Sequence, residues 1–417
     1  MSDYQQIIKS LFERHQSVQT AGFSADAYKP GLDRIRELDR RAGSPSSRLR
    51  CIHVAGTNGK GSVCSLLAAS LAGNGYRVGL FTSPHLLDFR ERIKIVEEDG
   101  FEMIPKESVM EFLEKYDSPE LSFFEITTGM AFWFFDREQV DIAVIEVGLG
   151  GLLDSTNIIV PELCVVTSIG LDHCALLGDT RAQIAGQKAG IFKGGVPAVV
   201  GQLDAETAPV FEAAAAEAHC PLFFASDFPV ILSEAKDLLA RMDLQGECQA
   251  ENLRTVLCAL DLLGEEPDVD ALCRAAAMTG LRGRWEAVRR SPLTIADIGH
   301  NPAALKGNFA RLREMMASGT YDKLLIVYGV MADKDFAGIL PLMPQEAEYF
   351  FAAPETPRAL PAPVILSEAK DLLPNAQACD SVADAVSKAS AMATPQSLIY
   401  IGGSTFVVAD YLKLQEV

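Results

Sequence analysis

The sequence lacks several features that mark whole classes of protein. No run of apolar residues reaches the roughly 20 residues that a membrane-spanning helix needs. The segment 1–6 has neither the basic start nor the apolar stretch of a secretory signal, so we expect a cytoplasmic protein with no membrane partner. Basic residues are also scarce, since 37 lysines and arginines stand against 56 aspartates and glutamates, a formal net charge of −19. This balance argues against a nucleic-acid partner, which would require basic residues to neutralise phosphates.

The cysteines form neither a disulfide framework nor a zinc-site pattern. No two of them make a C-x-x-C pair, and most lie in apolar surroundings, as buried free thiols do. An odd, scattered set of nine in a chain of 417 residues fits a reducing cytosol. They are Cys51, Cys64, Cys164, Cys174, Cys220, Cys248, Cys258, Cys273 and Cys379.

What the sequence does contain is a series of short apolar, β-branched runs between segments with helical patterning. Because these runs are continuously apolar rather than alternating, they predict strands that are covered on both faces. Strands that alternate with helices predict an α/β fold with a mostly parallel, doubly wound sheet. The clearest runs lie at 51–54, 142–145, 163–166, 197–200, 293–296, 324–327 and 398–401.

Two domains are expected from the chain length and from a change in pattern. A helix-rich stretch covers about 252–278, and the alternation of strands and helices starts again after Arg289-Arg290-Ser291-Pro292. We therefore expect a large N-terminal domain at 1–288 and a smaller C-terminal domain at 289–417.

One segment of eleven residues, Pro-Val-Ile-Leu-Ser-Glu-Ala-Lys-Asp-Leu-Leu, occurs twice without change, at 229–239 and at 363–373. Two distant copies do not make a solenoid, which requires several stacked repeats. We interpret them as a duplicated coding element inserted at two tolerant sites, and a repeated binding motif is the less favoured alternative.

The stretch His53–Ser62 carries the most chemical information. It follows an apolar run and precedes a helix-like segment at 63–69. Glycines let backbone N–H groups turn toward an anion, and the N-terminus of a helix adds positive potential. In such a loop Lys60 would reach the outer phosphates of a nucleoside triphosphate, and the Ser62 hydroxyl would serve the phosphates or their magnesium ion.

The loop departs from the common phosphate-binding pattern G-x-x-x-x-G-K-[ST]. Gly56 stands only three residues before Gly59, and Gly61 separates Lys60 from the following serine. A plain glycine-rich turn is therefore the alternative interpretation. The position of turn, lysine and hydroxyl at one strand-to-helix junction favours the phosphate site.

Other polar side chains follow predicted strands, where α/β proteins bind their ligands. Glu146 ends an apolar strand, and a buried carboxylate is costly there unless it is paired or binds a metal such as Mg²⁺. Ser83 either caps a helix, with Pro84 at its first position, or offers its hydroxyl to a metal. Asp297 ends another strand and is placed to accept a hydrogen bond from a ribose hydroxyl.

Three further residues are ambiguous when each is taken alone. A single histidine after a strand, such as His173, is usually structural, and Mg²⁺ rarely binds imidazole. Lys188 has the pattern of a solvated helix lysine. Arg284, in Gly283-Arg284-Trp285, has the chemistry to bind a phosphate.

Together these segments resemble the folylpolyglutamate synthase/dihydrofolate synthase family, within the Mur-ligase-like group of ATP-dependent amide ligases. The matching pieces occur in family order and cover about residues 30–335. They are His53–Ser62, Thr82–His85, Ser122–Thr128, Glu146–Gly151, Asp154–Asn157, Ser168–His173, Lys188–Ile191, Gly283-Arg284, Asp297–Asn301 and Gly329–Asp335.

The resemblance implies a fold and an activity. The fold would be an N-terminal P-loop-type domain with a mostly parallel, doubly wound sheet, followed by a smaller Rossmann-like α/β domain. The enzyme would use ATP to join L-glutamate to 7,8-dihydropteroate, and also to reduced folates, through an acyl phosphate. ATP, Mg²⁺ at two sites and a monovalent cation such as K⁺ would be its cofactors, and the chain would act as a monomer.

The resemblance also assigns roles to residues. Lys60, His173 and Lys188 would be catalytic, and Lys188 would carry a carbamate. The metal ligands would be Ser83, Glu146, His173 and the carbamate of Lys188. The ATP contacts would be Thr57, Asn58, Gly59, Lys60, Gly61, Ser62, Asn252, Arg284, Asp297 and His300. The pterin-bearing substrate would contact Ser122, Phe123, Phe124, Glu125, Leu153 and Asp154.

This chain departs from the family pattern at four places. Leu152 replaces an arginine beside the substrate, and Gln187 replaces the glutamate before the carbamylated lysine. Cys248 stands where a histidine is common, and the aspartate motif reads Asp297-Ile298-Gly299 instead of Asp-Gly-Ala. None of the four removes a predicted metal or phosphate contact.

Two other functions remain as alternatives at this stage. A Mur-type ligase would add an amino acid to a peptidoglycan precursor, but Phe123-Phe124-Glu125 and Gly61 favour the folate branch. A regulator that binds ATP without ligating anything would leave Glu146, His173 and Lys188 without a shared purpose.

Overall fold

The computed structural model describes residues 3–17, 22, 29–228 and 232–416, without the side chains of 232–235. The chain divides into two compact units, one of Met1–Leu244 with Cys248–Leu281 and one of Gln245–Glu247 with Arg282–Val417. The sequence placed the division later, at 288/289. Residues 289–292 are instead part of a β-hairpin within the second unit, because strands 286–290 and 293–297 pair antiparallel.

The N-terminal unit is built on an eight-stranded sheet. Its strand order is β4-β3-β2-β5-β1-β6-β7-β8, with parallel neighbours from β2 to β8 and antiparallel pairing of β3 with β2 and β4. The strands are β1 Cys51–Ala55, β2 Val78–Phe81, β3 Ile93–Glu97, β4 Gly100–Met103, β5 Ile142–Glu146, β6 Leu163–Val166, β7 Ala198–Val200 and β8 Leu222–Phe224.

Helices cover this sheet. They are α1 Asp3–Arg14, α2 Asp33–Arg41, α3 Lys60–Gly73, α4 Lys106–Tyr116, α5 Phe123–Arg137, α6 Cys174–Leu177, α7 Arg181–Ala189, α8 Ala208–Ala218, α9 Leu232–Arg241, α10 Gln249–Leu263, α11 Val269–Cys273 and α12 Ala275–Thr279. Short 3₁₀ segments lie at Pro45–Ser47, Phe89–Arg92, Ser155–Ile158 and Ala225–Asp227.

The two faces of the sheet belong to different cores, as continuously apolar strands predict. Successive residues of β5 alternate, since Val144 packs into one apolar cluster and Ile145 into the other. Helix α3 is buried from Gly61 to Ala72, so every side of the helix is covered by other parts of the unit. This burial fixes the N-terminal end of α3 at the carboxyl ends of the central strands.

The C-terminal unit has a six-stranded sheet in the order β13-β12-β11-β14-β10-β9, parallel except for β9. Its strands are β9 Glu286–Arg290, β10 Leu293–Asp297, β11 Leu324–Tyr328, β12 Glu348–Phe351, β13 Ala376–Ala378 and β14 Leu398–Gly402. Its helices are α13 Pro302–Ala317, α14 Phe336–Ile339, α15 Ala362–Ala369, α16 Val382–Met392 and α17 Thr405–Lys413, with a 3₁₀ turn at Leu340–Leu342. The expected α/β architecture is therefore confirmed for both units.

The duplicated segment forms helix at both places but with different bounds. In the first copy α9 runs from Leu232 through the end of the repeat to Arg241, whereas 229–231 lie outside the described residues. In the second copy α15 ends at Ala369, four residues before the repeat does. Identical sequence therefore gives a shared helical tendency, and the surrounding chain decides where the helix ends.

Within the described part of the chain, every helix is too short or too polar to cross a membrane.

Candidate active site

The glycine-rich loop joins β1 to the N-terminus of α3. Gly56 has φ +152°, and a Cβ there would lie 1.8 Å from Thr167 Oγ1. Gly59 has φ +86°, and its Cβ would lie 2.4 Å from Asn252 Oδ1. Both glycines are thus required by close approach of a neighbouring side chain. The first-turn N–H groups of α3 have no acceptor within the helix, which leaves them to an anion.

The loop is held from the side of β6. Thr57 N donates to Ser168 O (2.7 Å), and Asn58 N donates to Ser168 Oγ (3.2 Å). The Thr57 hydroxyl and the backbone of Gly170 also bond to each other. The backbone amides of Thr57 and Asn58 therefore support the loop itself, and the anion-binding amides are those of the following turn.

A second helix, α10, brings Asn252 to the same loop, and the ATP contact of Asn252 stays a prediction. This residue of α10 donates from Nδ2 to Gln249 Oε1 (3.0 Å), and Gln249 Nε2 donates to Ser62 Oγ (3.3 Å). Ser62 is buried beneath Gln249, so its hydroxyl already has a protein partner. Sequence reasoning missed Gln249, although its position three residues before Asn252 places both on one face of a helix.

Two lysines meet at the start of this loop. Lys60 Nζ donates to Gly56 O (3.0 Å) and Thr57 O (3.1 Å), and Lys188 Nζ donates to Gly56 O (2.8 Å). The Lys188 side chain comes from the last turn of α7 and is buried, which contradicts the reading of a solvated helix lysine. Burial, with the nearby charge of Lys60, lowers the pKa of Lys188 to about 7.

These lysines line one cleft at the carboxyl ends of the parallel strands. It encloses about 310 Å³, including its open mouth. Its walls come from the glycine loop, from the turn after β5 and from the segment that holds His173 and Lys188. The lining residues are Gly56, Thr57, Lys60, Val147, Gly148, Leu149, Gly150, Asp172, His173, Leu177 and Lys188.

Ser83 and Glu146 lie together at the ends of the paired strands β2 and β5. Ser83 N donates to Glu146 Oε2 (2.9 Å), and the Glu146 side chain is almost fully buried. The helix-cap interpretation of Ser83 is wrong, because no helix starts at Pro84 and the next helical turn is the 3₁₀ segment Phe89–Arg92.

Arg92 is a buried cation in the same region that sequence reasoning missed. Its Nε donates to His85 Nδ1 (2.8 Å). Burial lowers the pKa of Arg92 to about 10, while the charges of Glu146 and Glu91 oppose that shift. A single arginine before an apolar strand gives no sequence signal for such a position.

His173 flanks the short helix α6 in a left-handed conformation, with φ +54°. Its Nε2 lies 3.8 Å from Asp172 Oδ2, and its ring lines the cleft beside Lys188. The described residues contain no group of three or more His, Cys, Asp or Glu side chains that could hold a metal ion. A Mg²⁺ ion that shares nucleotide phosphates and keeps several waters needs only one or two carboxylates, so Glu146 with the Ser83 hydroxyl suits it.

The predicted pterin residues divide into two groups. Ser122 and Glu125 form a capping box at the start of α5, and Arg34 pairs with Glu125 at 3.0 Å. Phe123 is buried below the guanidinium of Arg92, which lies 5.2 Å from its ring centre. Among these four neighbours Phe124 alone is partly exposed, and it packs on Gly148, where a Cβ would lie 2.4 Å from its ring.

The remaining predicted pterin residues follow the turn after β5. Leu153 is exposed, as is the substituted Leu152, whose amide donates to Gln187 O (2.9 Å). Asp154 is buried and accepts from Leu149 N (2.8 Å) and from Thr156 N and Oγ1. Burial raises the pKa of the Asp154 carboxyl, although these hydrogen bonds oppose the shift.

In the C-terminal unit, Asp297 ends β10 and organises the following loop. Its carboxylate accepts from Trp285 N (2.8 Å), Gly299 N (2.8 Å) and Asn308 Nδ2 (2.6 Å). Burial raises the pKa of the Asp297 carboxyl, and the positive charge of Arg284 opposes that shift. His300 Nδ1 lies 3.0 Å from Ile298 O in this loop. Arg284, Asp297 and His300 thus lie in one neighbourhood of this unit, and their role as ATP contacts stays a prediction.

Comparison with known proteins gives two family models along the chain. The Mur ligase middle domain matches residues 54–228, and the Mur ligase glutamate ligase domain matches residues 283–405. The first model begins at the end of β1 and includes the whole cleft; the second begins beside Arg284.

Curated relatives match over nearly the whole chain. The dihydrofolate synthase/folylpolyglutamate synthase of Escherichia coli is 34% identical over 393 residues, which are 92% of this chain and 91% of that protein. A probable bifunctional folylpolyglutamate synthase/dihydropteroate synthase of Haloferax volcanii is 32% identical over 410 residues. The match covers 92% of this chain but 48% of the Haloferax protein, so the chain spans about half of that relative's length.

Solved structures of related enzymes are similar to this chain over its full length. The Escherichia coli enzyme FolC in complex with DHPP and ADP has a TM-score of 0.82 and 30% identity, and covers 100% of this chain and 98% of its own. The Yersinia pestis bifunctional folylpolyglutamate synthase/dihydrofolate synthase with AMPPNP and Mn ion has a TM-score of 0.81 and 28% identity, and covers 100% and 99%. The predicted family is confirmed: this chain belongs to the folylpolyglutamate synthase/dihydrofolate synthase family of Mur-ligase-like, ATP-dependent ligases.

Proposed function

We propose that the cleft activates the carboxylate of a pterin-bearing acid with ATP and joins it to L-glutamate. The acids would be 7,8-dihydropteroate and reduced folates. The observation that carries this proposal is the convergence of Lys60 and Lys188 on the glycine loop, at the N-terminus of α3 and beside His173. Relatives support it, because the Escherichia coli structure contains DHPP and ADP. We expect the chain to act as a monomer in the cytoplasm.

The phosphate chain of ATP would lie against the first turn of α3. There the N–H groups of Lys60, Gly61 and Ser62 lack helical acceptors, and Lys60 would leave the carbonyls of Gly56 and Thr57 to bind the outer phosphates. Asn252 would lie beside Gly59 and the nucleotide. Arg284, Asp297 and His300 stay predicted ATP contacts of the C-terminal unit.

The chemistry proceeds in two steps. An oxygen of the substrate carboxylate attacks the γ-phosphorus, and the bond from that phosphorus to the β,γ-bridging oxygen breaks, which gives an acyl phosphate and ADP. The amine of L-glutamate then attacks the acyl carbon; phosphate leaves, the nitrogen loses a proton, and an amide forms. Lys60 acts where negative charge accumulates, so its effect is mainly electrostatic.

Ser83, Glu146 and His173 would hold Mg²⁺, with a carbamate on Lys188 as ligand at a second site. When bound, the metal would supply positive charge to the phosphates. The AMPPNP and Mn ion in the Yersinia pestis structure support divalent metal use, and a monovalent cation such as K⁺ stays a proposal from the family resemblance. Lys188 suits carbamylation because its lowered pKa leaves much of the amine neutral near neutral pH.

A substrate panel tests this function. Purified protein is incubated with ATP, Mg²⁺, L-glutamate and one acid at a time: dihydropteroate, tetrahydrofolate or a nucleotide-linked peptidoglycan precursor. We expect phosphate release that requires both a pterin acid and glutamate, and a product heavier by one glutamyl residue. Glutamate-independent release, or a product only from the peptidoglycan precursor, would overturn the proposal, and Lys60→Ala provides the inactive control.

A further inference from the structure

The short segment Asp154–Asn157 forms hydrogen bonds with two walls of the cleft. Asp154 Oδ2 accepts from Leu149 N (2.8 Å) in the turn after β5. Asn157 Nδ2 donates to Leu152 O (3.0 Å) and to Gly190 O (3.0 Å). Gly190 directly follows α7, whose last turn carries Lys188. One segment therefore sets both the turn that lines the cleft and the end of the lysine-bearing helix.

The third wall is joined to this segment through His53, in the middle of β1. The imidazole is fully buried, and its Nε2 lies 2.8 Å from Thr156 Oγ1. Thr156 Oγ1 donates its only proton to Asp154 Oδ1 (2.5 Å). Its oxygen must therefore accept from the imidazole, which assigns the proton of His53 to Nε2. The hydrogen bonds run in one direction, from His53 through Thr156 to Asp154.

The other ring nitrogen of His53, Nδ1, makes this arrangement less stable. Among the residues that the structure describes, none offers a hydrogen-bond partner to the buried His53 Nδ1. Burial and the charge of Lys193 lower the pKa of His53 to about 3, so the ring stays neutral. A buried acceptor without a partner is destabilising, and an apolar side chain would fill this place at lower cost. Stability alone does not account for a histidine here.

We propose that His53, Thr156, Asp154 and Asn157 form a buried brace that positions the cleft for the ligase reaction; this inference rests on the proposed function. Strand β1 leads directly into the glycine loop, so the brace connects all three walls. Both oxygens of Asp154 already accept hydrogen bonds from its own segment and turn. Asp154 thus positions the turn, its contact with the pterin-bearing substrate stays a prediction, and His53 and Thr156 act only as positioning residues.

Paired substitutions test the brace. His53→Leu removes the donor and also the unpaired Nδ1, whereas His53→Gln keeps an N–H donor at a similar reach. Thr156→Val removes the hydroxyl that joins His53 to Asp154, whereas Thr156→Ser keeps a hydroxyl at that position. Thr294→Val is the matched control, because Thr294 is a buried threonine of the C-terminal unit whose hydroxyl donates to Pro292 O.

We expect His53→Leu and Thr156→Val each to lower kcat roughly 10- to 100-fold, the size of effect that small misplacements of reacting groups produce. The thermal unfolding midpoint of His53→Leu should change by no more than that of Thr294→Val, whereas Thr156→Val leaves the His53 Nε2–H without an acceptor and should lower the midpoint further. His53→Gln and Thr156→Ser should recover most of kcat, and the double variant His53→Leu/Thr156→Val should be no worse than either single one. A fall in the unfolding midpoint with unchanged kcat, or additive losses, would overturn the brace.

Amide hydrogen exchange separates this inference from the proposed function, because it requires no substrate. In His53→Leu the amides of Gly148 and Leu149 should exchange at least several-fold faster than in the unsubstituted protein. If the unsubstituted protein ligates no pterin acid but this acceleration is seen, the proposed function fails and the brace stands. Unchanged exchange at both amides overturns the brace even if ligation is observed.

Discussion

Lys60 and Lys188 donate hydrogen bonds to the same acceptor, the carbonyl oxygen of Gly56, at 3.0 and 2.8 Å. The two amines come from α3 and α7, which are more than a hundred residues apart in the chain. Burial, together with the nearby charge of Lys60, lowers the pKa of Lys188. The lowered pKa gives Lys188 the properties of a nucleophilic amine, and Lys60 stays the predicted cation for the outer phosphates.

The first prediction concerns modification of Lys188. Its neutral nitrogen adds to the carbon of CO₂ and loses a proton, which gives a carbamate. With a pKa of about 7, well below the ordinary value of 10.5, the amine is mostly neutral above that pH and mostly protonated below it. Carbamate occupancy, followed by ¹³C NMR with labelled bicarbonate, should therefore be high at about pH 8 and decline toward about pH 6.

Lys188→Arg is the informative variant for this prediction, because it retains a cation and cannot form a carbamate. It should lose the ¹³C signal and nearly all ligase activity, and added bicarbonate should not restore it. The same pKa shift implies that stability from this site declines as pH falls from about 10.5 to about 7, because over that range the unfolded chain binds more protons than the folded one. A carbamate signal that persists in Lys188→Arg would show that another amine is modified.

The second prediction concerns Lys60. Lys60→Ala should lower kcat by roughly a hundredfold or more, because the outer phosphates lose a cation where charge develops in the transition state. Steady-state phosphate release with saturating pterin acid measures this. Lys115→Ala serves as the control, since Lys115 is an exposed lysine paired with Glu111 on α4. Near-normal turnover in Lys60→Ala would refute the role.

The fold was accessible from the sequence because its signals are local. Continuous apolar runs give strands buried on both faces, and Gly59 and Lys60 mark the junction of β1 and α3. Residues that act through distant partners gave no such signal. Gln249 reaches Ser62 across 187 positions, and no periodicity in the sequence encodes that contact.

The start of α5 shows a different limit to what could be predicted from the sequence. Ser122 and Glu125 have the S-x-x-E spacing of a capping box, which is a local signal. The family resemblance directed attention to substrate contacts instead, and the structure shows both side chains engaged in the cap. The substrate-contact role of this pair stays a prediction, since a cap and a ligand would compete for the same oxygens.

The third prediction separates backbone strain from close contact at the glycine loop. Gly59 and Gly75 have nearly equal φ angles, +86° and +89°, but a Cβ at Gly59 would meet Asn252 at 2.4 Å whereas Gly75 has nothing within 4 Å. Both Gly→Ala changes should lower stability by about 1–3 kcal/mol through strain. Gly59→Ala alone should also raise the KM for ATP, because it displaces Asn252 from the loop.

Denaturant unfolding and ATP kinetics on the two variants check this, and Gly59→Ala/Asn252→Ala tests the contact directly. Removing the Asn252 amide should recover part of the stability lost in Gly59→Ala. Equal KM values for ATP in Gly59→Ala and Gly75→Ala would contradict the proposed contact.

The last prediction concerns the C-terminal unit. Asp297→Asn replaces one acceptor oxygen by an amide NH₂ group, yet the site offers donors on both sides: Trp285 N, Gly299 N and Asn308 Nδ2. One buried donor then faces another donor, so the free energy of unfolding should fall by about 1–3 kcal/mol. Asp371→Asn, at an exposed turn, should change it by less than about 0.5 kcal/mol. The loss should appear in the unfolding transition that is followed by the fluorescence of Trp285. An unchanged transition in Asp297→Asn would mean that the loop after β10 does not depend on this carboxylate.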